Sequence, residues 1–133
     1  MEFFKNIDIK TTEAELCSQL SLKDLDSYSN DLFILEDPEE DKVQIGGIWG
    51  EFTLTRHLIA GGLRFALREC PNALAWTVTT GFPPEPNNVV IHLTINRKEK
   101  NREFVEELEE FLEDIAEGIK SVLTTKGVVF SQD

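Results

Sequence analysis

Between Phe104 and Val122 the apolar residues Phe104, Leu108, Phe111, Ile115, Ile119 and Val122 recur at helical spacing. Glu106, Glu107, Glu109, Glu110, Glu113, Asp114 and Glu117 occupy the positions between them. A helix with one greasy stripe gains most of its stability by laying that stripe on an apolar surface. The pattern therefore predicts a long acidic helix resting on a sheet. Asn101 is placed to cap its start, Lys120 and Lys126 lie near its C-terminal end, and Gly127 is expected to stop it. The surface it needs is found just upstream. Leu74, Trp76 and Val78 alternate with Ala75, Thr77 and Thr79, and Val89, Ile91, Leu93 and Ile95 repeat the same two-residue period. With the proline-rich loop Gly81–Asn88 between them, these runs predict an antiparallel hairpin.

Further upstream the signals are shorter. Thr12-Glu13-Ala14-Glu15 is a capping box ahead of Leu16 and Leu20, and Ser21-Leu22-Lys23-Asp24 repeats it. Leu32–Leu35 is a continuous apolar run suited to a buried strand, and Asp37-Pro38 then turns the chain. Val43-Gln44-Ile45 and Glu51–Thr55 are two more strands. Gly46-Gly47-Ile48-Trp49-Gly50 interrupts them, as a bulge, a turn or a place where a ligand nears the backbone. From Leu58 to Cys70, Ile59, Gly62, Leu63, Ala66 and Cys70 fall on one helical face, which predicts a middle helix ended by Pro71. The expectation is one α+β domain over residues 1–133. It has an antiparallel sheet of about five strands with helices packed on it, in the order α-β-β-β-α-β-β-α.

With 133 residues, 41% of them apolar and nine of those Phe, the chain can bury a core without staples. Its 13 basic and 25 acidic residues leave a formal net charge of −12, a field that repels phosphate backbones and anionic membranes. No nucleic-acid or membrane partner is expected. Cys17 and Cys70 match no zinc or redox spacing, and no two of His57, His92, Cys17 and Cys70 stand a helical turn apart. No metal and no cofactor is expected. The N-terminal residues lack the basic patch and apolar run of a signal peptide, so a cytoplasmic location is expected.

The residues that can bind something are few. His92 faces away from Val89, Ile91, Leu93 and Ile95, and Thr77, Thr79 and Thr94 can share its side of the sheet. Trp49 or Trp76 is expected to wall such a patch. No acid or nucleophile is placed beside His92, so catalysis is not the favoured reading. Gly81-Phe82-Pro83-Pro84-Glu85-Pro86 is expected to run extended and either present Phe82 to a partner or fold it back against the end of the sheet.

The predicted middle helix, the Leu74–Thr80 and Val89–Ile95 hairpin and the Phe104–Leu123 helix together resemble type III secretion chaperones and the related YbjN-like domains. That resemblance implies a small acidic homodimer that binds a segment of a partner protein. The first functional expectation is therefore a protein-binding adaptor or chaperone-like domain. The alternatives are a small-molecule-binding or enzymatic domain with its pocket around His92, and a structural subunit of a larger assembly.

Overall fold

The computed structural model describes residues 1–84, 86–96 and 101–131, with residues 125–131 as backbone alone. The acidic stripe forms α3 (Arg102–Ser131), whose first turn is capped by Asn101 accepting from the Phe104 amide at 3.3 Å. Leu108, Phe111, Ile115 and Ile119 are buried, as their spacing requires, and Leu112, Ala116 and Leu123 join them. Gly127 does not stop the helix, because a glycine inside a helix costs only about 1 kcal/mol. The predicted hairpin is β6 (Ala75–Thr80) and β7 (Val89–Thr94), paired antiparallel with Thr77 opposite His92.

The sheet is larger than the expected five strands. Among the described residues seven strands run in the order β1-β7-β6-β5-β4-β3-β2, all antiparallel. Two corrections account for the difference. The first strand, β1 (Glu2–Ile7), pairs along its whole length with β7, although Glu2–Ile7 shows no clean alternation of polar and apolar residues. The expected helix at Leu58–Cys70 is a hairpin instead: β4 (Gly50–Ile59), the turn Ala60-Gly61, and β5 (Gly62–Leu67). Leu63, Phe65 and Leu67 point inward at strand period. Gly61 adopts φ +84°, which an L side chain rarely takes, and supplies the turn. A Cβ on Gly62 would overlap the Val78 carbonyl, so its glycine is what lets β5 lie against β6.

Between β1 and β2 (Phe33–Ile34) the chain forms α1 (Glu13–Gln19) and α2 (Leu25–Tyr28). The Thr12 hydroxyl accepts from the Glu15 amide at 3.1 Å, the N-cap half of the expected box. The glycine-rich stretch is settled as a two-residue turn, Ile48-Trp49, joining β3 (Lys42–Gly47) to β4. It tucks Trp49 against Phe104 and Phe111 of α3, with the indole N–H donating to Glu107 at 3.4 Å. On the opposite side Lys5 of β1 reaches Glu113 of α3 at 2.8 Å. The sheet therefore curls so that β1 and the β3–β4 turn hold α3 from both sides.

One cluster ties α2 to α3. The Asp114 carboxylate accepts from Ser29 Oγ at 3.1 Å, the Asn30 amide at 3.0 Å and the Asp31 amide at 3.1 Å. Asp31 lies beside it, and burial, then the charges of Asp114 and Glu110, raise its carboxyl pKa above the ordinary value. A carboxyl with a raised folded-state pKa binds its proton more tightly when folded, so stability falls as pH rises through that interval. Above it the penalty persists in full. Asp31→Asn is expected to raise stability at pH 7 by less than about 1 kcal/mol, because the group is only half-buried and water still screens part of its charge. Below the ordinary value of 3.8 the two proteins should unfold at the same urea concentration. A variant less stable at pH 7 would show that Asp31 is not under strain.

Candidate functional site

The register divides the sheet into two faces with different fates. Trp76, Val78, Ile91 and Leu93 point inward, toward α3. Trp76 stacks on Phe65 with centroids 5.5 Å apart and meets Phe111 edge-on at 5.1 Å. With Trp49 against Phe111 at 5.3 Å, aromatic rings fill the space between sheet and helix. Trp49 and Trp76, expected as walls of a patch around His92, are thus core residues on the other side of the sheet. Their apolar bulk is better buried under α3 than left on a wet face.

The outward residues of the last two strands and β1 build a different surface. Because Phe4 pairs with His92, and His92 with Thr77, the three side chains form one row across β1, β7 and β6. Asn6, Val90 and Thr79 form the next row. The β6–β7 loop closes one end, where Phe82, Pro83 and Pro84 rise beside these rows. The result is a depression of about 480 Å³ lined by Phe4, Asn6, Thr77, Thr79, Phe82, Pro83, Pro84, Val90 and His92. The structure brings His92, Thr77 and Thr79 together here, as the alternation of the two strands foretells, and places Phe82 of the connecting loop beside them. Thr94 lies on the same face, opposite Ala75 and Glu2, but outside the depression.

The geometry within the depression is specific. The Phe4 and His92 rings stack with centroids 4.3 Å apart and planes 4° from parallel. His92 Nε2 lies 2.9 Å from Glu2 Oε1. In the neutral imidazole that contact requires the proton on Nε2, which leaves Nδ1 as an acceptor. Among the described residues, neither the Thr77 nor the Thr79 hydroxyl has a hydrogen-bond partner. Phe82 is 48% exposed, and one edge of its ring covers Gly61, where a Cβ would collide with it. It therefore both folds back on the β4–β5 turn and remains available. The Pro83–Pro84 peptide bond in this loop is cis.

Sequence reasoning missed Phe4 and Asn6, which reach the site through β1, and Val90, which shares the His92 face by the two-residue period of β7 itself. Phe4 carried one usable signal, an aromatic beside another near the chain start, but nothing local identifies its partner strand. Among the described residues no cluster of histidine, cysteine and carboxylate side chains is arranged to hold a metal ion. No helix among the described residues is long and apolar enough to cross a membrane.

No protein-family model matches the sequence, and no curated protein matches it. The fold is similar to that of a solved structure, a START superfamily protein from Mycobacterium smegmatis. The TM-score is 0.62 at 10% identity, over 93% of this chain and 97% of that one. What the two share is the helix-grip arrangement, a curled antiparallel sheet around a long C-terminal helix. This corrects the resemblance to type III secretion chaperones and YbjN-like domains. That resemblance depended on a middle helix at Leu58–Cys70, and the hairpin found there changes the order of elements.

Proposed function

We propose that the chain is a small-molecule-binding domain whose site is the outer-face depression between β1, β7, β6 and the Phe82–Pro84 loop. The observation that carries this is the combination of apolar walls with the Thr77 and Thr79 hydroxyls, which have no partner among the described residues. Phe4, Val90, Phe82, Pro83 and Pro84 supply apolar contact. Thr77, Thr79, Asn6 and His92 supply donors and acceptors that fix orientation. The fold of the START superfamily neighbour is compatible with a ligand-binding role and favours this over a protein-binding adaptor. The strongly negative chain and the nearby Glu2 disfavour anions here, so a small neutral molecule with a planar ring and an amide or hydroxyl edge is the best match.

The test is a 1H–15N titration with small neutral aromatic amides, benzamide first. Shifts are expected at Thr77, Thr79, Val90 and His92. Phe82→Ser removes one wall and should weaken binding about tenfold. Thr77→Val removes one hydrogen bond and should weaken it about fivefold. Amides that shift nothing on the outer face, or that bind both variants as well as the parent, would refute the assignment.

A second reading rests on one observation. Among the described residues β1 is the outer strand of the sheet, and its Phe4 and Asn6 line the depression. A partner peptide pairing with β1 would shift the outward-facing amides of Glu2, Phe4 and Asn6 and leave Thr77 and Thr79 in place, and the same spectra distinguish the two.

A further inference from the structure

A second depression, of about 450 Å³, lies on the other side of the sheet, where α1, the β2–β3 connection and β4 meet. Its lining includes Arg56, Lys23, Leu22, Leu58, Pro38 and Cys17. Nothing in the outer-face site uses these residues.

Arg56 is the key to its chemistry. Its Nε donates to the Leu20 carbonyl at 2.9 Å, and its Nη2 donates to the Cys17 carbonyl. Both carbonyls belong to the C-terminal end of α1, where backbone acceptors lack helical partners and the helix dipole is negative. Two of the five guanidinium N–H groups are thereby engaged, which holds the planar fork in place. Among the described residues the other three have no partner. Lys23, on the same rim, forms no ion pair among the described residues. Beside these cations Leu58 is 67% exposed, an unusual position for leucine, and Pro38 continues the apolar wall.

The acidic side chains on the rim limit the charge that fits. Glu39 lies 3.8 Å from Lys42, and Glu40 stands near it. With two cations and two carboxylates around one depression, a polyanion such as a phosphate ester meets repulsion. A single carboxylate directed at Arg56 meets less repulsion, which the attraction of Arg56 and Lys23 offsets. A guanidinium fork held from behind is matched by the two oxygens of a carboxylate.

We propose that this depression is a second binding site, for a small monocarboxylate with an apolar body. The carboxylate bonds to the free edge of Arg56, Lys23 adds attraction, and the apolar part covers Leu58 and Pro38. Because the site lies across the sheet from the first, it can be filled independently of it.

The test compares phenylacetate with 2-phenylethanol, which keeps the ring and loses the charge. In 1H–15N titrations phenylacetate should shift Cys17, Leu22, Lys23 and Leu58, and leave Thr77 and Thr79 in place. The alcohol should bind at least about tenfold more weakly, having no charge-assisted hydrogen bond to offer. Leu58→Ser, an exposed change that spares the fold, should weaken phenylacetate about fivefold. Arg56→Lys should weaken it about tenfold, since a lysine cannot hold α1 and present a fork together. Because that variant also slackens the end of α1, Lys23→Met gives an independent test of charge, with about threefold loss expected. Equal binding of acid and alcohol, no shifts around Leu58, or indifference to both Leu58→Ser and Lys23→Met would each overturn the proposal.

Discussion

Gly118→Ala is expected to destabilise the protein by about 3 kcal/mol, although alanine is the better helix former by about 1 kcal/mol. On an open helix face the substitution would stabilise. Gly118 instead lies against the backbone of Tyr28 in α2, and a Cβ there would overlap its carbonyl. The neighbour is backbone and cannot rotate aside, so α2 must move away from α3. One turn earlier on α3, Asp114 accepts from Ser29, Asn30 and Asp31, and that geometry fails when α2 shifts. The thermal midpoint should fall by roughly 10 °C. Glu117→Ala, on the exposed side of the same turn, is the control and should change stability by less than about 0.5 kcal/mol. A Gly118→Ala protein as stable as its parent in urea would show that the two helices are not in close contact.

Truncating Phe111 should have a larger effect and a visible chemical consequence. Its ring is fully buried and meets both tryptophans, Trp49 at 5.3 Å and Trp76 at 5.1 Å. Removing a buried phenylalanine ring costs about 4 kcal/mol, part lost transfer energy and part the void left behind. The midpoint should drop by roughly 15 °C. The void lies between apolar rings, so it should stay dry and accept a small apolar guest. Benzene is expected to raise the midpoint of Phe111→Ala and leave the parent unchanged. If benzene stabilises the parent equally, the space under α3 is already open, and a ligand site on the inner face would have to be considered beside the outer one.

Both predictions concern how the interior was filled, and this bears on where ligands go. In this chain Phe65, Trp76, Phe111 and Trp49 fill the space under the helix. The two proposed sites are consequently outside it, one on each side of the sheet. Glycines at close approaches do complementary work. Gly62 lets β5 lie against β6, and Gly118 lets α3 lie against α2.

How much of the site was legible follows from what makes a residue's neighbours local. Thr77, Thr79 and His92 share a face because the two-residue period of their own strands places them there, and Phe82 lies in the loop joining those strands. Phe4 and Asn6 reach the same spot through a partner strand almost the whole chain away, and a sequence carries no short-range mark of that. The Leu58–Cys70 segment failed for a different reason. Its apolar residues satisfy helical and strand periods at once, and the Gly61-Gly62 pair decides between them only when read as a turn.

Local sequence was enough for the acidic helix, the β6–β7 hairpin, the strands on either side of Gly46–Gly50 and the face on which His92 and the threonines stand. Each depends on periodicity, capping or turn chemistry within a few residues. What required the folded chain is that β1 closes the sheet against β7, that Trp49 packs against α3, and that Arg56 is held by the end of α1. Those outcomes depend on which surfaces meet across long separations, and burial of apolar area, being non-directional, leaves no local signature of the partner it selects.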